Sequence, residues 1–477
     1  MRLQRNGAVV LSLVVTLGVV TVVSGASGAP LDERAPYDAG LSDPREDSYY
    51  PSKGDPGIDV LHYALDLSWR RDSRTLVGQA GITLRATETA DSFQLDLHGA
   101  MDVASVSVDG TAASFGHHGK TLTIREPVSA NSRHRVDIAY AGTPQGVPAP
   151  SPRPDMRSIG MQVTRDGQLW TMQEPFGAFT WYPSNDQPSD KALYDITVDA
   201  PEGMVGVANG TMTSRLDTGG RTQTSFHLSD PAATYLITLA VGPYLHRSTT
   251  GPHGLPVDVW ALPADRELLD IRHMMSDDLT WLESRLGRYP FANAGVVFVP
   301  GDSAMETQGL VTFGARGSHA RPSVVRETLV HELIHQWYGD TVTPSDWRDL
   351  WLNEGMAMYL QARWDADHGG ASWKDWVSRF RAYNSFGRET DGPPGAYFRD
   401  EFGLTCVYYC TAAMFERLRK DVGDDTFWRL VRQWPQTHLN TNADRREFEA
   451  WVEARTGRDL TDFFRRWLLS PTWPPDR

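Results

Sequence analysis

The stretch HELIHQWYGD, residues 331–340, carries two histidines four positions apart with a glutamate between them. It lies in a run, 324–338, that contains neither Pro nor Gly and reads as a helix. On a helix, positions i and i+4 share a face, so His331 and His335 can reach one ion. Glu332 is turned by about 100 degrees from His331, which puts it beside the ion rather than on it. Two satisfied histidines on a buried helix would give the same pattern, so a third ligand decides the reading. WLNEGMAMYL supplies it in Glu354, at the start of the next predicted helix, with 18 residues between it and His335. The intervening GDTVTPSDW is a turn-rich loop that lets the two helices meet. Three protein ligands with a fourth position left for water are the arrangement of a catalytic zinc site, here one Zn2+ per chain.

Elements of two kinds must position these residues. In the first half, Tyr63, Leu65, Leu67 and Trp69 alternate with Ala64, Asp66 and Ser68, which is the period of a strand with one wet face. Phe93, Leu95 and Leu97 repeat the pattern, as do Val136, Ile138 and Tyr140, and Leu193, Ile196 and Val198 continue it. Val106-Ser107-Val108 runs into Asp109-Gly110, a hairpin signal. Beyond Pro256 the apolar residues of 268–286, 324–338, 352–364 and 407–422 recur at helical spacing, with Gly369-Gly370 and Gly423 as stop signals. Strands followed by helices predict an α+β protein, with a β domain over 57–245 and a mainly helical catalytic domain over 246–477.

The residues around the metal triad resemble the aminopeptidase N-like zinc peptidases, the gluzincin aminopeptidases, and the resemblance covers 57–477. WYPSNDQPSDKALYDITV (181–198) and VANGTM (207–212) are similar to parts of that family's N-terminal domain. SAMET (303–307) stands where the family has Gly-Ala-Met-Glu-Asn, and VYYCTAAMFERLR (407–419) resembles the helix of its catalytic tyrosine. The resemblance implies a saddle-like β domain over a thermolysin-like catalytic domain, in a short form without the large helical C-terminal domain. It implies that His331, His335 and Glu354 hold zinc, that Glu332 is the general base, and that Tyr408, with Tyr409 as the competing candidate, stabilises the oxyanion. Glu306, and Glu174 in TMQEPFGAFTWYP, would bind the amine of a peptide substrate. Ser303 and Thr307 replace the outer Gly and Asn of the motif, and Cys410 and Thr411 replace the Lys-Gly after the tyrosine.

Residues 1–29 place Arg2 and Arg5 before an apolar run over 8–23 and a small-residue exit, which reads as a cleavable secretory signal with an uncleaved anchor as the alternative. No later stretch is long and apolar enough to span a membrane. Residues 30–56, rich in Pro, Gly, Asp and Ser, read as a flexible leader. The net charge is −14, and loss of Arg2 and Arg5 would take it to −16, which argues against nucleic acid as a partner. Cys406 and Cys410 are the two cysteines, and either a disulfide or two buried thiols fits their spacing. The function implied is a secreted zinc aminopeptidase, with a zinc endopeptidase or a non-peptide hydrolase on the same scaffold as alternatives.

Overall fold

The computed structural model of the chain describes residues 37–315 and 322–474. The expected signal, 1–29, lies outside the described residues. In the strand Ile58–Arg70, Tyr63, Leu65, Leu67 and Trp69 are buried while Asp66 is exposed, as the alternation predicts. The strand stands inside an eight-stranded sheet, antiparallel to Thr75–Ala86 and parallel to Lys191–Pro201. Val136, Ile138 and Tyr140 of Arg133–Gly142 join the same core. Burying such a side chain is worth about 1.5–3 kcal/mol, and a slip of one residue would turn the whole set to water, so the register is fixed. Asp109 and Gly110 both have positive φ, 49° and 79°, and turn the chain from Met101–Val108 into Thr111–Ala112. That is the two-residue hairpin geometry for which Asp-Gly is suited.

Two further five-stranded sheets carry the chain toward the triad. One runs in the order Val205–Ala208, Leu239–Gly242, Leu169–Met172, Ser158–Val163, Val147–Pro148. The other runs Leu245–Thr250, Pro256–Ala261, Ala294–Val299, Val311–Gly314, Ala304–Met305. Its three central strands are parallel, and Ala304–Met305 pairs antiparallel with Val311–Gly314 at the edge. Ala294–Val299 is buried throughout, which suits an apolar run covered on both faces. The catalytic half therefore carries a mixed sheet, with the helix Ile271–Leu286 inserted between its strands, as well as its other helices.

The helices are α1 (Ile271–Leu286), α2 (Pro322–His335), α3 (Trp351–Asp367), α4 (Trp373–Thr390), α5 (Thr411–Val422), α6 (Asp424–Thr437), α7 (Arg445–Thr456) and α8 (Thr461–Leu469). Met275, Leu279, Leu282 and Leu286 of α1 are buried at helical spacing. α3 and α5 end just before the predicted stops, Gly369 and Gly423.

Residues 37–56 depart from the flexible leader that their composition suggests. Asp47 is buried and accepts from the backbone N–H groups of Tyr49, Tyr50 and Trp347 at 2.9, 2.7 and 2.7 Å. Tyr50 packs edge-on against Phe176, and Tyr49 donates to the carbonyl of Tyr397 at 2.6 Å. Two tyrosines and one carboxylate with three donors hold the segment across both halves. A composition average hides these few strong contacts.

Candidate active site

α2 and α3 bring the three expected ligands together. His331, His335 and Glu354 are buried, and their ligand atoms lie within 4.8 Å of one another. Nδ1 of His335 donates to the carbonyl of Tyr338 at 3.0 Å, and Nδ1 of His331 meets Oε1 of Gln361 at 2.9 Å. Gln361 is oriented by its own amide, which donates to Glu327 at 3.1 Å. Each imidazole thus donates from Nδ1 and turns Nε2 inward. Both Nε2 atoms face Oε2 of Glu354, at 3.1 and 3.3 Å. Two imidazole nitrogens and one carboxylate converging this closely are a zinc donor set. The residues fit the metal. Burial works against charge on His335, but Glu354 and Glu306 outweigh it and push its pKa well up. Burial likewise opposes ionisation of Glu354, and the two histidines reverse this and hold it below the usual carboxylate range.

Glu332 lines the same cleft, buried, one residue along α2 from His331. Burial pushes its pKa up to about 8, against the pull of His335. Tyr408 stands in a single wide turn, Cys406–Cys410, that leads into α5. Its hydroxyl donates to Oε1 of Glu354 at 2.9 Å. Tyr409 turns instead onto Tyr383, ring centres 4.4 Å apart, so the structure brings the first tyrosine of the pair to the triad. Cys406 and Cys410 form a disulfide that brackets Tyr408. Thr411 packs on Gly355, where an added Cβ would meet its Cγ2 at 2.2 Å. Gly355, right after the ligand Glu354, is what lets this turn come so close.

Glu174 follows the strand Leu169–Met172, and Glu306 follows the edge strand Ala304–Met305. Both line a cleft of about 460 Å³ together with the triad and Glu332. Oε1 of each is buried with no hydrogen-bond partner among the described residues. Burial pushes both pKa values up; the charge of Glu306 adds to the effect on Glu174, and that of Glu354 to the effect on both. The backbone of Glu306 is pinned by Gln336, whose amide donates to its carbonyl at 3.0 Å.

Three contributors to the site were not read from the sequence. Gln361 lies seven residues after Glu354, two turns along the same face of α3, so spacing alone would have found it. The carbonyl of Tyr338 depends on the wide turn Gln336–Asp340 that ends α2 and has no sequence signal. Arg153, in the loop between Val147–Pro148 and Ser158–Val163, lines the cleft and donates to Tyr408. Its place rests on a contact across 255 positions.

Two family descriptions match the chain, "Peptidase M1 N-terminal domain" over 60–236 and "Peptidase family M1 domain" over 273–467. Aminopeptidase N of Streptomyces lividans is 26% identical over 441 residues, which cover 86% of this chain and 50% of that protein. The chain thus spans about half the length of this curated relative. Among solved structures, the M1 zinc metallopeptidase of Deinococcus radiodurans superposes with a TM-score of 0.79 at 27% identity, covering 90% of this chain and 97% of that one. A mutant of the same protein bound to a Tyr-Ser-Ala substrate gives a TM-score of 0.78 at 27% identity, over 90% and 98%.

Proposed function

This chain belongs to peptidase family M1, and from that footing we propose that it is a secreted zinc aminopeptidase that removes N-terminal residues from peptides. The observation that carries the reading is the pair of buried carboxylates, Glu174 and Glu306, in the same cleft as the triad. A peptide's free amine is mostly protonated near neutral pH. Two desolvated carboxylates, each with an unpartnered oxygen, are unfavourable, and an ammonium between them relieves both. Their hold on the amine fixes the register of the chain, so that the first peptide bond reaches the triad. The tripeptide bound by the similar M1 structure supports short peptides as the substrate class here.

His331, His335 and Glu354 would hold the zinc, which would supply Lewis acidity at the scissile carbonyl and lower the pKa of a water. Gln361 and the Tyr338 carbonyl keep both histidines in the tautomer that ligation needs. Glu332 accepts the proton of the attacking water and passes it to the leaving amine. Tyr408 donates to the oxygen on which negative charge develops. Secretion is supported by the basic, apolar and small-residue order of 1–29 and by the Cys406–Cys410 disulfide, which suits an oxidising compartment. No helix of the described residues is long and apolar enough to cross a membrane. The division into domains near residue 245 is supported by the start of the mixed sheet at Leu245.

The test is a panel of aminoacyl reporter substrates with and without N-acetylation. Acetylation should lower kcat/KM by at least about tenfold, the worth of one hydrogen bond to a charged group. Equal cleavage of both forms would favour an endopeptidase.

A further inference from the structure

A chain of side chains runs from the SAMET segment to the hydroxyl of Tyr408. Oγ of Ser303 donates to Oδ2 of Asp155 at 3.0 Å. Asp155 holds the Arg153 guanidinium through two bonds, Nη2 to Oδ2 at 2.7 Å and Nε to Oδ1 at 3.3 Å. Nη1 of Arg153 then donates to Oη of Tyr408 at 3.1 Å. The loop that carries Arg153 is fastened to the segment before Tyr408. Oγ of Ser151 donates to the carbonyl of Phe402 at 2.7 Å, the Phe402 N–H donates to Pro150 at 3.2 Å, and Nη1 of Arg153 also donates to Gly403 at 3.3 Å.

The direction of these bonds has a chemical consequence. A guanidinium offers donors and no acceptor, so its bond to Tyr408 occupies a lone pair on the phenolic oxygen. The phenolic proton must then point elsewhere, and it points at Oε1 of Glu354, into the cleft. That is the orientation in which a substrate oxyanion could receive it. A cation beside the phenol oxygen also strengthens the phenol as a donor.

We propose that Arg153, held by Asp155 and Ser303, is a positioning residue that fixes the hydroxyl of Tyr408 as a donor toward the reacting carbonyl. The inference rests on the peptidase reading, with Tyr408 as the oxyanion donor. It also gives a reason for the departure at position 303, since glycine there has no Oγ to hold Asp155. Arg153 is not a free clamp for a substrate carboxylate, because Asp155, Gly403 and Tyr408 already engage its Nε, Nη1 and Nη2.

The test compares the zinc-loaded full chain with Arg153→Gln, Tyr408→Phe and the double variant. Arg153→Gln should lower kcat about tenfold, less than loss of the oxyanion donor itself, and leave KM within about twofold. In the Tyr408→Phe background the same change should cost less than about twofold, because the group it acts through is gone. An equal loss in both backgrounds, or an effect confined to KM, would overturn the proposal. A second readout needs no turnover. With tyrosine labelled at 13Cζ, the resonance that Tyr408→Phe removes should shift on Arg153→Gln, and shift less in the same direction on the milder Ser303→Gly. An unmoved resonance overturns the relay whether or not the protein is a peptidase. A moved resonance without any aminopeptidase turnover upholds the relay and sinks only the functional reading.

Discussion

Glu306→Gln keeps the volume and the edge-strand backbone at the proposed amine end of the cleft and removes one negative charge. In the wild type, Oε1 of Glu306 is buried and unpartnered among the described residues, so its desolvation precedes substrate binding. A hydrogen bond from a charged group to such a carboxylate is worth about 1.5–3 kcal/mol. At about 1.4 kcal/mol per tenfold, the variant should lose roughly 10- to 150-fold in kcat/KM on a free-amine peptide. On the acetylated peptide there is no cation to hold, and the loss should stay within about threefold, well under one such bond. The charge of Glu306 also pushes the Glu174 carboxyl up, so the single variant lets Glu174 ionise more readily and keep part of the hold. Glu174→Gln/Glu306→Gln should therefore cost more than the two single losses combined. The assay is kcat/KM on matched free and acetylated reporters for the four proteins. Equal losses on both reporters would refute the ammonium site and leave Glu306 a structural residue.

Glu354→Gln should lower bound zinc, measured by elemental analysis after dialysis, whereas Glu332→Gln should retain the metal and lose turnover; near-normal turnover in the latter removes Glu332 as the base. Tyr408→Phe should cost about a hundredfold or more in kcat, and Tyr409→Phe little, since only the first hydroxyl reaches Glu354. Lys191 is buried and donates to the carbonyls of Asp340, Thr341 and Thr441 at 2.7, 3.2 and 3.3 Å, so Lys191→Met should lower stability by about 2–4 kcal/mol in urea unfolding. Burial, with Asp346 beside it, raises the Asp47 carboxyl from 3.8 to about 6. A raised folded pKa means a contribution fully present below pH 4 and lost as pH rises through 6. The wild type should therefore lose stability relative to Asp47→Asn across that window, and a gain instead would mean that the three N–H donors outweigh burial.

What could be read from the sequence was local. The i, i+4 histidines needed only a helix, and alternation from Tyr63 to Trp69 needed only a strand, so both stand in the structure as written. Helices α4, α6, α7 and α8 were not read, although Phe427, Leu430, Val431 and Trp434 of α6 carry the helical spacing plainly. The packing of residues 37–56 was hidden for a different reason. It depends on Asp47 meeting the N–H of Trp347, 300 positions away, and no local pattern encodes such a partner. Arg153 and Asp155 were illegible on the same ground. A charged pair in a Pro-rich loop reads as solvated surface until the fold sets it against Tyr408.

The proposed amine end of the cleft is built on a seam between sheets, which is why its residues are so buried. Glu174 comes from the sheet that includes Leu169–Met172, and Glu306 from the sheet whose edge is Ala304–Met305. The two sheets touch where the Gln173 N–H meets the sulfur of Met305 at 3.4 Å. They are tied again where Asn209 donates to the carbonyls of Leu236 and Gln308 at 3.0 and 2.8 Å. Both acids are buried where the two sheets meet. The triad on α2 and α3 belongs to the second half together with Glu306, whereas Glu174 comes from the first. Arg153, from the first half, crosses the same seam to reach Tyr408.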